Sequence, residues 1–139
     1  MYFAHLSVTL HYKKKDNNNM AQHNELGFWG EDQAAEFLRK KGYFVFENDW
    51  KSGHRDIDII AKDGDTIVFV EVKTRRNRVF TEPTAAVDYR KLQNLKRAIN
   101  HYVKYHRIDN DIRLDIITVV GTPESGAPEI EHIIDVPII

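Results

Sequence analysis

The sequence contains no cysteine. That absence excludes disulfides, thiolate metal sites and thiol nucleophiles together, and it suits a reducing cytoplasm. No apolar run approaches the roughly 20 residues that a membrane-spanning helix needs. Charge of one sign is also missing: 20 Lys and Arg stand against 21 Asp and Glu, for a net charge of -1. A role with nucleic acid must then rest on where cations cluster, because phosphate binding depends on local charge. No Walker-type or dinucleotide-type glycine pattern occurs, and no segment repeats.

What is present is the composition of an ordinary folded domain. The 139 residues are 42% hydrophobic and 29% charged, enough to build one core without staples. Residues 1–19 differ from the rest, with a mixed apolar stretch running into Lys13-Lys14-Lys15-Asp16 and three asparagines. A signal peptide has the opposite order of charge and apolar segment. We expect a disordered arm or a mis-assigned leader there, with Met20 as an alternative start and a basic nucleic-acid-touching arm as the rival. The expected domain is 20–139.

Two apolar runs flank Asp63-Gly64 in the stretch RDIDIIAKDGDTIVFVEVK, residues 55–73. Asp56 and Asp58 interrupt the first run, and Glu71 and Lys73 the second. Carboxylates in buried strands are costly without a compensating positive charge, and a divalent metal would supply it. Treating Asp63-Gly64 as a two-residue hairpin turn pairs Lys62 with Asp65 and sets Asp58 opposite Phe69. Strand alternation then puts Asp56, Asp58, Phe69, Glu71 and Lys73 on one face, and Ile57, Ile59, Val68, Val70 and Val72 on the other. Asp58 and Glu71 become diagonal neighbours, about 7–8 Å apart at Cα.

Around this hairpin the pattern predicts a helix over 24–41 ending at Gly42, a strand over 43–46, and a polar loop over 47–54. It then predicts a helix capped by Asp88 and running to His106 with an apolar stripe of Leu92, Leu95, Ala98, Ile99, Tyr102 and Val103, a strand over 112–120, and a last strand over 129–136. The order is α-β-β-β-α-β-β, a mixed α/β sheet with a helix on each face. Glu31 shares a helical face with Ala34, Ala35 and Leu38. It is either a first-turn acid favoured by the helix dipole or an acid projecting toward Asp58 and Glu71. His101 and His106 are five apart, off the spacing by which two helical imidazoles share a zinc.

Asp58 followed by Glu71-Val72-Lys73 resembles the PD-(D/E)XK nuclease signature, and Glu31 resembles the extra acid of its Holliday junction resolvase-like branch. More closely, HNELGFWGEDQAAEFLRKKGY, RDIDIIAKDGDTIVFVEVKTR and RLDIITVV look like the bacterial YraN-like family, over residue 21 to the C-terminus. The resemblance implies a restriction-endonuclease-like core. It implies Asp58, Glu71 and the Val72 carbonyl as ligands of Mg²⁺ or Mn²⁺, Lys73 as the catalytic lysine, and Glu31 as a member of the site. The chain departs from that family's pattern at Arg55-Asp56, where Gly-Glu is expected, so the role of Asp56 is open.

Lys73 can either orient the attacking water or stabilise transition-state charge. Thr74, Arg75, Arg76 and Arg78, with Lys91 on the second helix, are the expected nucleic-acid contacts; Lys96 and Arg97 are either further contacts or a solvated face. The resemblance implies branched or junction DNA as substrate, and junction symmetry suits a homodimer. Three functions remain open on sequence: a metal-dependent endonuclease, a nuclease-like domain that binds nucleic acid without cutting, and an adaptor whose acids are vestigial.

Overall fold

The computed structural model describes residues 19–78 and 89–137. The expected arm and the expected cap at Asp88 lie outside the described residues, apart from Asn19. Seven elements follow in the predicted order: α1 (Asn19–Lys40), β1 (Phe44–Ser52), β2 (Arg55–Asp63), β3 (Thr66–Arg75), α2 (Tyr89–Tyr105), β4 (Ile112–Val120) and β5 (Glu129–Ile133). The five strands form one sheet in the order β1-β2-β3-β4-β5. Only β3 and β4 are parallel, and α2 is the crossover that parallel neighbours require.

Each helix covers one face. Ala34, Ala35 and Leu38 of α1 pack on Ile59, Ala61, Val68, Val70 and Val72. Leu95, Ala98, Ile99 and Tyr102 of α2 pack on Ile57, Ile60, Ile67 and Phe69. The predicted stripe of α2 is therefore its buried face. Alternation along β3 divides its side chains cleanly between the two cores.

Several boundaries move. Helix α1 begins at Asn19, five residues before the periodicity starts, and it ends where the glycine predicts. Gly42 adopts φ 92°, its N–H donates to the Arg39 carbonyl, and the Tyr43 N–H reaches back to that of Leu38 at 3.0 Å. This paired closure needs a left-handed residue that glycine adopts without strain.

Strand β1 runs through the segment expected to be a polar loop, pairing residues 47–52 with β2 around a bulge between Val45 and Glu47. It lies at the sheet edge, where polar side chains reach solvent and discourage further pairing. Tyr102 anchors it from α2, packing edge-on against Trp50 at 5.3 Å and donating its hydroxyl to Glu47 at 3.0 Å. Strand β5 stops at Ile133, short of the expected 136.

The central hairpin turns one residue later than predicted. Asp63 pairs with Thr66 and Ile60 with Phe69, leaving Gly64-Asp65 as the turn. Gly64 has φ 59° while Asp65 has no positive φ, as a type II′ turn requires. Asp63 stays in the strand, where its carboxylate accepts from Arg113 Nη1 at 3.1 Å. The register shifts by two, which preserves faces and brings Asp58 level with Glu71. One facial assignment fails: Ile57 packs beneath α2 and Ile59 beneath α1. The paired ladder between β2 and β3 ends at Ile59 and Val70, and beyond it β2 no longer follows the alternation.

Candidate active site

The site forms where β2 and β3 part. Past the last ladder pair, the Val72 N–H donates to Asp58 Oδ2 at 2.8 Å, so a side-chain carboxylate takes the place of a strand carbonyl. Asp58 thereby lies where the two strands part and lines the cavity there. Glu31 reaches it from α1 and is hydrogen-bonded to it. Glu71, 7% exposed, faces α2 and accepts from the Lys91 ammonium at 3.3 Å. A cavity of about 250 Å³ joins Glu31, Asp56, Asp58, Glu71, Val72 and Lys91.

A glycine makes the approach of α1 possible. A Cβ at Gly30 would meet the Thr74 side chain, 2.8 Å from its Cβ, closer than carbon atoms pack. The helix thus crosses β3 at a residue with no side chain, and the next residue is Glu31.

Charge in the cluster is strongly perturbed. Burial, then repulsion from Asp49 and Glu71, pushes Glu31 up to about 8. Burial, then Glu71 and Glu31, raises Asp58 well above the ordinary carboxylate range, against the pull of the Val72 N–H. Asp58 is hydrogen-bonded to both Glu31 and Glu71. Burial lowers Lys73 to about 8, aided by the hydrogen bond and repulsion from Lys91. Burial opposes the charge on Lys91 as well, but Lys73 and Glu71 outweigh it and hold that group above its ordinary value.

Among the described residues, no group of three or more His, Cys, Asp or Glu side chains is placed to hold a metal ion by itself. The donor set nonetheless suits a hard divalent cation. Every candidate donor is oxygen, as Mg²⁺ prefers, and Glu31 Oε2 is buried with no hydrogen-bond partner. An orphaned buried carboxylate oxygen is costly, and a cation is the partner that also lowers the repulsion among these acids.

The residues singled out from sequence divide into two groups. Glu31, Asp58, Glu71 and Lys73 come together, with Val72 beside them. Lys91 joins them inside the site, and it does not stand apart as a peripheral phosphate contact. Thr74 lines the cavity and packs on Gly30. Arg75 ends β3, Arg76 follows it and is exposed, and Arg78 is held by Glu129 at 2.8 Å. Asp56 is exposed and borders the cavity.

Asp49 is the acid that the sequence pattern does not single out. It lies in β1 between Asn48, opposite Ile59, and Trp50, opposite Ile57, which sets it level with Asp58. Its φ is 52°, a region that residues other than glycine seldom occupy, and its charge acts on Glu31. Only the strand character of 47–52 would have revealed it.

Comparison with known proteins agrees with the chain's own pattern. It is 45% identical over 114 residues to a UPF0102 protein of Bacteroides thetaiotaomicron, covering 82% of this chain and 93% of the other. It is 45% identical over 116 residues to one from Flavobacterium psychrophilum (84% and 96%). To one from Syntrophomonas wolfei it is 43% identical over 112 residues (80% and 96%). Residues 30–119, which hold every acid of the site, match the family described as "Uncharacterised protein family UPF0102", and the chain belongs to that family.

Proposed function

We propose that this protein is a metal-dependent endonuclease of the PD-(D/E)XK type, hydrolysing phosphodiester bonds in branched or junction DNA. The observation that carries this reading is the meeting of Glu31, Asp58 and Glu71 at the point where the sheet opens, with Lys73 and Lys91 beside them. Asp58, Glu71 and the Val72 carbonyl would hold Mg²⁺ or Mn²⁺, which supplies Lewis-acid charge and a more acidic water.

The chain's own residues supply the rest. Lys73, two residues beyond Glu71 on the same strand, assists the attacking water. That water's oxygen bonds to phosphorus, the bridging P–O bond breaks, and the departing oxygen takes up a proton. Lys91 lies where it can screen the charge that builds on the phosphate. Glu31 holds Asp58 from the opposite face of the sheet. A homodimer would suit the two-fold symmetry of a junction.

A second reading, nucleic-acid binding without turnover, is favoured by the Lys91–Glu71 ion pair, since an ammonium there occupies space that a cation would need. Incubation of branched and linear DNA with Mg²⁺ or Mn²⁺ separates the two. Cleavage by the wild type, lost by at least about 100-fold in Asp58→Asn and in Lys73→Ala, supports the nuclease. Unaltered DNA binding without metal-dependent cleavage of any substrate leaves the second reading standing and removes the first.

A further inference from the structure

A larger cavity, of about 670 Å³, opens beside the acids. Its inner end is Glu71, and it runs outward between the β1–β2 turn and the first turns of α2. One wall carries Arg55 from the turn; the other carries Arg90, Lys91, Asn94 and Arg97 from the helix. Four cations thus face two carboxylates, Asp56 and Glu71, in a chain whose overall charge is -1. The local excess is what phosphate binding needs.

The helical cations share one side of α2. Arg90, Asn94 and Arg97 lie at i, i+4 and i+7, so they form a row along the groove. Arg97 Nη1 donates to Asn94 Oδ1 at 3.3 Å, which steadies that part of the row. Arg55, Arg90 and Arg97 are exposed, and among the described residues none of them enters a salt bridge. Guanidinium groups on both walls, outside any salt bridge among the described residues, are suited to bidentate contact with phosphate oxygens.

We infer that this groove is the track for one unpaired strand of the polynucleotide substrate, leading its backbone to the acids at Glu71. Size selects a single strand. A cavity of about 670 Å³ takes a short run of one extended backbone, whereas a duplex, whose major groove alone is roughly 12 Å wide, does not enter it. Among the described residues its lining offers guanidinium groups, the Lys91 ammonium, the Asn94 amide and the His54 imidazole, so its grip is chiefly on phosphates. Binding there is indifferent to sequence and sensitive to salt. The track deepens the nuclease reading, since it rests on the acid cluster as the place where phosphodiesters are brought, and it adds a reason for branched substrates, whose unpaired arms can enter.

The test is binding without metal. The full chain in EDTA is titrated into a fluorescein-labelled 12-nucleotide single strand and into a blunt duplex of the same length, with anisotropy read at several salt concentrations. Tighter binding of the single strand is expected for the wild type. Arg90→Ala/Arg97→Ala should weaken it about tenfold or more and reduce the log–log salt slope by about 1.4, two phosphate contacts at about 0.7 each. Duplex affinity should hardly change. Lys104→Ala, on the same helix beyond the groove, should behave as wild type, and Arg90→Lys/Arg97→Lys, which keeps the charge but loses the bidentate fork, should fall between wild type and the alanine variant. Both arginines are exposed, and thermal melts confirm that the variants fold.

Unchanged single-strand binding in the alanine variant overturns the track, as does equal loss of strand and duplex, or a wild type that binds neither. These outcomes are separate from failure of the nuclease reading, which is cleavage absent with metal present. Asp58→Asn should abolish cleavage and leave single-strand affinity in EDTA within about twofold, since that acid makes no contact in the groove.

Discussion

Asp115 shows how a single buried charge organises its surroundings. It is 0% exposed and fully partnered: Arg113 Nε and Nη2 donate to it at 2.8 and 2.9 Å, His132 Nε2 at 2.7 Å, and the Asp135 N–H at 3.0 Å. Lys41 donates to His132 Nδ1 at 2.8 Å, which leaves the ring proton on Nε2 for Asp115. Burial by itself would raise this carboxyl, but the bonds from His132 and Arg113 overcome it and hold the group at about 2. A carboxylate depressed in the folded state stabilises the fold above its unfolded value of about 3.9, and that contribution is lost as pH falls through about 2. Acid titration followed by circular dichroism should therefore show about 2 kcal/mol of stability disappearing in that window. Asp115→Ala should remove that loss and, by taking the buried acceptor from Arg113 and His132, cost about 3–5 kcal/mol at neutral pH.

At the scale of elements, the contact of α1 with β3 decides whether the site exists. Gly30 sits mid-helix, where alanine ordinarily gains roughly 1 kcal/mol over glycine. Here the sign reverses, because an added Cβ meets the body of Thr74. Gly30→Ala should cost about 1–3 kcal/mol in urea unfolding and move Glu31 away from Asp58, so that metal no longer stabilises the variant. Retained metal stabilisation in a folded Gly30→Ala protein would contradict the positioning role. The opening between β2 and β3 is the other element-scale feature. A strand that continued its ladder past Ile59 would seal the sheet and leave Asp58 no route to both helices.

Across the whole molecule, the site draws on both faces of the sheet: Glu31 from the α1 side, Glu71 with Lys91 from the α2 side, and Asp58 in the gap between them. A ligand bound there ties both cores together and favours only the folded chain. Mg²⁺ at 100 times its dissociation constant should add about 2.7 kcal/mol, a rise of roughly 8 °C in melting temperature for a domain of this size. Calorimetry with and without Mg²⁺ checks this. Asp58→Asn should melt at the same temperature in both, and a shift that survives in that variant would place the ion elsewhere. Among the described residues no helix is long and apolar enough to cross a membrane.

Much of this was legible from residues alone, because it depends on local rules. Helical spacing identified the buried stripe of α2, glycine marked the end of α1 at Gly42, and strand alternation put Glu71 and Lys73 together whatever the register. Asp58, Glu71 and Lys73 stood out because charges in apolar strands need a reason. What needed the tertiary structure was everything set by contact between distant segments. Pairing with β2 turned the polar residues 47–52 into a strand and brought Asp49 level with Asp58. The type II′ preference for glycine in first place moved the turn to Gly64-Asp65. The end of the ladder at Ile59 sent Ile57 to the other core. Lys91 entered the acid cluster, and Arg55 came to face Arg90 and Arg97, only because α2 crosses the sheet at that edge. Periodicity states which side a residue occupies on its own element, whereas the packing of elements decides which sides meet.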